Sequence, residues 1–152
     1  MADIFDGIEP MVYKSKIRVP YSWWAGDTAS VFLTSLRDRK VIQGKKCAQC
    51  NKVYVPPRKA CPACFKETEW VAVSDTGTVL SYTVVRKKLA ALPKDPPVIY
   101  GLIKLDGADT AMLHFLGDVV PEKLAVGMRV KAKFSEQRSA TIRDIEYFAP
   151  IP

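Results

Sequence analysis

A mainly β protein is predicted, with an N-terminal helix, a four-cysteine ribbon and then a five-stranded Greek-key barrel of the OB type. Three observations carry that expectation. All four cysteines of the 152-residue chain fall within "CAQCNKVYVPPRKACPAC", residues 47–64. Upstream, apolar residues recur at helical spacing between Ala29 and Leu36; downstream, five short runs rich in β-branched and aromatic residues are separated by turn sequences. With 48% hydrophobic and 26% charged residues, the chain suits one ordinary globular domain or two very small ones.

The helix comes first. After Pro20, Asp27 or Thr28 is placed to cap it, Ala29, Phe32, Leu33 and Leu36 share one face, and it ends near "DRK" (38–40). "YSWW" (21–24) before it and "YFAPIP" (147–152) at the far end put aromatics and prolines at the chain ends. They suit an interface, or else they close the ends of the barrel. Met1-Ala2-Asp3-Ile4 lacks the basic start and apolar stretch of a secretory signal, and no apolar run approaches the ~20 residues of a membrane span. A cytoplasmic protein that is not in a membrane is expected.

In a reducing cytosol, paired C-x-x-C motifs read as metal ligands rather than as two disulfides. Each pair forms a knuckle with both sulfurs on one side. Two facing knuckles bring Cys47, Cys50, Cys61 and Cys64 into a tetrahedral four-thiolate cage suited to one Zn(II) per chain. Between the pairs Val53-Tyr54-Val55 alternates like a short strand, which Pro56-Pro57 stops and turns back toward Cys61. A segment this short cannot bury enough apolar surface to fold alone. Zinc, at ~10–16 kcal/mol of apparent binding free energy in zinc-finger peptides, is expected to hold it together. With no open coordination position the metal is structural. Two other readings use the same residues. Iron in a rubredoxin-like carrier takes these ligands at a wider separation of the pairs, and a thioredoxin-type disulfide needs a C-x-x-C at a helix start after a strand, where neither pair sits.

The barrel follows. "GTVLSYTVV" (77–85), "VIYGLIKL" (98–105) and "TAMLHFL" (110–116) read as a three-stranded meander, "GDVVPEKLAVG" (117–127) contains a short helical turn opened by Pro121, and "MRVKAKF" (128–134) and "ATIRDIEYF" (140–148) complete five strands. A Pro-rich loop, "LPKDPP" (92–97), joins the first two. The chain thus divides into an N-terminal segment with its helix (1–44), a zinc ribbon (45–70) and a barrel (71–152).

No self-sufficient active site is legible, and no catalytic residue is assigned. His114 is the only histidine and the four thiols are engaged, so no nucleophile has a base beside it. Lying between Met112 and Leu116, His114 reads as a packed, hydrogen-bonded residue. Asp75, Asp106 and Asp109 sit at turns, which their side chains suit. The formal net charge is +7, and four thiolates with one Zn(II) would bring it to about +5. The excess is uneven: Lys45, Lys46, Lys52, Arg58 and Lys59 crowd the ribbon with no acid between 45 and 64, and Arg86-Lys87-Lys88 follows the first barrel strand. The cluster suits the phosphates of coenzyme A, or is simply a solvated basic face. Nucleic-acid binding is a further class, with Tyr54, Tyr82 and Tyr100 as stacking residues. No RNA- or DNA-binding signature accompanies them, and that partner is disfavoured.

The segments "VFLTSLRDRKVIQGKKCAQC", "YVPPRKACPAC" and "PPVIYGLIKLDGADTAMLHFLG" resemble the zinc-ribbon/OB-fold proteins that accompany thiolases and related acyl-CoA enzymes, over nearly the whole chain. Within that family the chain is most similar to thiolase partners of degradative pathways, the group that includes the small zinc-finger subunit of benzoylsuccinyl-CoA thiolase. The resemblance implies a non-catalytic accessory subunit in a hetero-oligomer with a thiolase-type catalytic subunit. It would stabilise the complex and help to form its CoA-binding channel, the acyl-CoA thioester being ligand or substrate of an acyltransferase complex. By the "PPR" motif (56–58), Arg58 is the first candidate for a CoA phosphate contact, with Lys46, Lys59 and Lys87 assisting. A free-standing acyl-CoA-binding protein is the alternative.

Overall fold

The computed structural model describes residues 6, 7, 9, 11–90 and 92–152, so the Met1-Ala2-Asp3-Ile4 start lies outside the described residues. Helix α1 (Asp27–Arg39) buries Phe32, Ser35 and Leu36, with Leu33 packed beside them. Neither Asp27 nor Thr28 caps it. Gly26 stands at the N-cap with φ 81°, a conformation glycine accepts without strain, and Asp27 is the first helical residue, where its charge faces the positive end of the helix dipole. The helix stops at Lys40, which turns left-handed (φ 54°) and donates its N–H to Leu36 O while Val41 donates to Ser35 O.

A three-stranded antiparallel sheet comes next, built of β1 (Gln43–Cys47), β2 (Val53–Tyr54) and β3 (Thr68–Ala72) in the order β2-β1-β3. Only β2 was legible in the sequence. β1 carries Lys45 and Lys46 in succession and β3 has Glu69 beside Trp70, so neither shows a clean apolar alternation, and their strand character depends on pairing Lys45 with Trp70 and Lys46 with Glu69. Gly44 lets the strands close up: a Cβ there would lie 2.9 Å from Val73 Cγ2 and 3.0 Å from Tyr54 O.

The remaining strands, β4 (Thr76–Val85), β5 (Val98–Leu105), β6 (Ala111–Leu116), β7 (Arg129–Phe134) and β8 (Ile145–Pro150), form a closed barrel in the order β4-β5-β6-β8-β7. β6 and β8 run parallel, with Leu116 opposite Phe148; the other neighbours are antiparallel, and β7 closes the barrel onto β4. This is the expected five-stranded OB topology, with the one-turn helix at Pro121–Lys123 between β6 and β7. Val79, Ile103, Val130, Ile145 and Phe148 are fully buried inside. Phe32 and Leu36 of α1, together with Ile42 and Val55 from beside the ribbon strands, belong to the same core. Helix and ribbon therefore pack on the barrel rather than beside it. No helix among the described residues is long and apolar enough to cross a membrane.

Two expectations for the C-terminal end are corrected. The last strand does not begin at residue 140: Ala140 has φ 59°, Ile142–Asp144 is a 3-10 turn, and pairing starts at Ile145. The cause is Asp144, 1% exposed, whose carboxylate accepts the Ser139 and Ala140 N–H groups at 2.9 Å and holds the chain in a loop. "YFAPIP" is not exposed apolar material either, because β8 runs through Pro150 and Phe148 is at the centre of the core. "YSWW" does remain exposed at Tyr21, Trp23 and Trp24.

Candidate metal centre and the surrounding basic residues

The two C-x-x-C stretches fold alike. In the first, Cys47 N donates to Lys52 O at 2.9 Å and Asn51 N to Cys47 O at 2.8 Å; in the second, Cys61 N donates to Lys66 O at 2.9 Å and Phe65 N to Cys61 O at 2.8 Å. Each knuckle closes on a left-handed residue, Asn51 (φ 58°) and Phe65 (φ 55°). Asparagine suits that conformation; a phenylalanine there is strained, and Phe65 is 84% exposed. β1 delivers Cys47, and the loop after β2 delivers Cys61.

The four sulfurs lie within 4.8 Å of one another, Cys47 and Cys61 buried, Cys50 and Cys64 half-buried. Cys50 Sγ and Cys61 Sγ are 3.7 Å apart. A tetrahedron with ~2.3 Å metal–sulfur bonds has edges of about 3.8 Å, so Cys50 and Cys61 are spaced as two ligands of one Zn(II) would be. The Tyr54 hydroxyl, 3.2 Å from Cys61 Sγ, brings that thiol down to about 6, helped by the Cys64 backbone N–H at 3.4 Å. Burial pushes Cys64 up to about 12, and Tyr54 itself is raised, foremost by its bond to Cys61. Four neighbouring thiolates repel one another, so a divalent cation is what lets all of them ionise together. All four cage positions are sulfurs, and a metal held by them would have no protein-free position for substrate.

The cage is fastened to the barrel by the turn between β5 and β6. Asp109 Oδ2 accepts the Val53 N–H at 2.8 Å while the Asp109 N–H donates to Val53 O at 2.9 Å. Thr110 Oγ1 accepts from Val55 N at 2.8 Å and donates to Val55 O at 2.9 Å. Turn geometry thus does not account for Asp109, whose carboxylate serves a strand 56 residues away. The other turn aspartates also have distant partners: Asp75 faces Lys131 at 3.6 Å, and Asp106 accepts from the Arg129 guanidinium and from Thr76, which hold its carboxyl at about 2.

The structure separates the basic residues. Lys45 is buried beneath the rim, its ammonium 5.0 Å from the centre of the Trp70 ring. Lys59 lines the same small cleft as Lys45 and Trp70, next to Asp27, Val31 and Glu67. Lys46 follows Lys45 on β1 and so faces the opposite side of the sheet, exposed. Arg58 is exposed beside Lys59, and the carbonyls of both accept the Thr68 hydroxyl. Lys87 stands apart, past the end of β4 on the barrel. None of Lys46, Arg58, Lys59 and Lys87 makes an ion pair among the described residues. Of the four, Lys59 alone lines that cleft with Lys45 and the Trp70 ring among the described residues.

His114 is buried, with Nε2 donating to Ile142 O at 3.1 Å and Nδ1 accepting the Phe115 N–H at 2.9 Å; burial lowers its pKa. Of the tyrosines read as stacking residues, Tyr54 is buried against Cys61, Tyr82 reaches Leu124 O at 3.2 Å, and Tyr100 packs 4.9 Å from Phe115. Tyr54 is therefore unavailable for stacking on a base. Sequence reasoning missed the Lys45–Trp70 pair and the Asp109–Thr110 seam, since the first arises only when β1 pairs with β3 and the second only when the ribbon packs on the barrel.

Comparison with known proteins follows the same division. Residues 40–70 match the family described as ChsH2, rubredoxin-like zinc ribbon domain, and residues 70–135 match ChsH2, C-terminal OB-fold domain. A DUF35 domain-containing scaffold protein of Methanocaldococcus jannaschii is 31% identical over 65% of this chain and 71% of its own length. A second, from Methanothermobacter thermautotrophicus, is 25% identical over 64% of this chain and 74% of its own. Among solved structures, a chain of the Ltp2-ChsH2(DUF35) aldolase superposes with a TM-score of 0.63 at 23% identity, covering 79% of this chain and 91% of that one. A DUF35-family protein from Sulfolobus solfataricus gives 0.60 at 25% identity, over 82% and 84%.

Proposed function

From the premise that the chain belongs to the DUF35 family of zinc-ribbon and OB-fold scaffold proteins, we propose that it is a non-catalytic accessory subunit of a thiolase-type acyl-CoA enzyme. One observation carries this reading beyond the family. The only histidine has both ring nitrogens bonded inside the fold, and the only four thiols converge on one cage. Acyl transfer from a thioester needs a nucleophile and an acid–base partner, and a second subunit would supply them. The likeness to a DUF35 chain solved within an aldolase complex supports an assembly of scaffold with enzyme.

On this reading Cys47, Cys50, Cys61 and Cys64 hold one structural zinc, which keeps the ribbon folded and takes no part in the reaction. The barrel is the rigid base, and the ribbon edge is what the chain presents to acyl-CoA. Arg58 holds a phosphate of the nucleotide in a bidentate grip, with Lys59 and Lys46 near it, and Lys87 would contribute only where the CoA crosses to the barrel. Positioning the remote nucleotide favours correct placement of the thioester and keeps water from it. We keep the division 1–44, 45–70 and 71–152 as the functional one, and a cytoplasmic site for the complex. Burial of Tyr54 at the metal cage weighs against the nucleic-acid alternative.

The test is co-expression with a thiolase-type subunit, sought first among the neighbouring genes, followed by size-exclusion chromatography at micromolar concentration. One peak with acyl-CoA activity is expected. Separate elution, with acyl-CoA bound by this chain alone, would favour the free-standing carrier instead.

A further inference from the structure

Residues 11–25 precede α1 without helix, strand or bend, and every one of them is exposed. Among the described residues, no backbone hydrogen bond joins this arm to the rest of the fold. It is nevertheless rich in large apolar side chains, whose exposure runs from 69% at Val19 to 98% at Met11. Their order is regular. Met11, Tyr13, Ile17, Val19, Tyr21 and Trp23 occupy alternate positions broken only at Ser15, while Lys14, Lys16 and Arg18 fall between them; Val12 and Trp24, near the two ends, depart from the pattern.

A period of two is the signature of a strand with one apolar face, and helical winding would scatter these residues around the axis. The stretch 11–19 is free of glycine and proline, with Pro10 before it and Pro20 after it, so nine residues are able to pair without interruption. Among the described residues its own fold leaves one open sheet edge, the outer side of β3, and the arm does not join it. The barrel is closed and has no edge, and the outer side of β2 is taken by Asp109 and Thr110. The three cations stand with no acid between residues 11 and 26.

Resting on the accessory-subunit reading, we infer that residues 11–19 add as a β-strand to an exposed sheet edge of the catalytic subunit. Met11, Tyr13, Ile17 and Val19 lie in an apolar groove beside that edge, Lys14, Lys16 and Arg18 face acidic side chains on its other side, and Tyr21 and Trp23 anchor the end. Main-chain pairing supplies the affinity and the alternate side chains the specificity. At ~3.3 Å per residue the arm reaches about 50 Å, enough to lie across the face of a subunit.

The experiment compares the full-length chain alone and in complex with the co-expressed thiolase-type subunit, by hydrogen exchange at single-residue resolution. An added edge strand has every second N–H pointing to the partner, so slowing of about tenfold or more is expected at alternate amides within 11–19, in the complex only. Ser15→Pro, which removes no anchor but breaks a strand, should weaken binding by about tenfold or more and leave zinc content and melting unchanged. Lys14→Glu with Lys16→Glu should weaken it as well and reduce its salt dependence. If the complex forms while the arm exchanges freely and Ser15→Pro binds like the parent, the inference is overturned and the accessory role stands. If no complex forms, both fall together. Protection that appears in the chain alone and grows with its concentration would assign the arm to a second copy of this chain, most directly at the free edge of β3, and would also overturn the inference.

Discussion

Asp109→Ala and Thr110→Val should loosen the metal centre although neither residue touches a sulfur ligand. The first removes the carboxylate that accepts the Val53 N–H at 2.8 Å; the second removes the hydroxyl bonded to both Val55 N and Val55 O. Val53 and Val55 are 8% and 1% exposed, so water does not readily replace what is lost. A hydrogen bond to a charged group contributes ~1.5–3 kcal/mol and a buried polar group left unpaired costs ~1–3 kcal/mol, which puts each substitution at about 2 kcal/mol. At ~2–4 °C per kcal/mol for a chain of this length, each should lower Tm by about 4–8 °C. The pair should fall short of the sum, since the sites are neighbours and the Asp109 N–H still bonds Val53 O. Asp109→Asn keeps an acceptor and should lose less than Asp109→Ala. The assay is a thermal melt of the zinc-loaded chain together with the rate of zinc release to a chelator. If the full 2 kcal/mol appears in local opening of the ribbon, release accelerates by about 30-fold. Melting within ~1 °C of the parent and unchanged release for both variants would refute the claim that this seam holds the ribbon to the barrel.

Cys61→Ser should abolish stoichiometric zinc binding and unfold the ribbon locally while the barrel strands persist, as read by metal analysis and amide spectra; iron in the parent, or no metal in folded protein, would sink the zinc assignment. In the reconstituted complex, Arg58→Ala should raise KM for the CoA substrate and lower kcat/KM by about 10- to 150-fold with assembly and zinc intact. Unchanged kinetics for Arg58→Ala, Lys46→Ala and Lys59→Ala combined would return the basic residues to solvation alone. His114 gives a pH signature: because burial lowers its native pKa, the unfolded chain binds the proton first as pH falls below ~6.5. Stability is therefore lost downward through the window between that value and the lowered native one, and His114→Gln, which cannot charge, should flatten the difference in Tm across it.

Some of this architecture is local in the chain and some is not. The cysteine spacing, the apolar face of α1 and the runs at 98–105 and 129–134 declare themselves because their periodicities and ligand pairs lie within a few residues of one another. Strands β1 and β3 do not. Their charged residues hide the alternation, and only pairing shows that Lys45 lies on Trp70 while Lys46 faces away. The helix cap went to Gly26 rather than Asp27 because a left-handed residue needs no side-chain acceptor to turn the chain. The segment 140–144 has the composition of a strand, yet the buried Asp144 carboxylate offers its backbone better partners than a neighbouring strand would.

By itself the sequence determined the spacing of the four cysteines and the order helix, ribbon and barrel. The tertiary structure decided what the charges and the chain ends do. It buried Phe148 and left Trp23 in water, drew Asp109 across to Val53, and brought Lys59 into one cleft with Lys45 and Trp70. The physical reason is range. Metal ligation, helix periodicity and strand propensity are short-range properties of neighbouring residues, whereas burial and long-range hydrogen bonding belong to a residue only after the barrel has closed and supplied its partners.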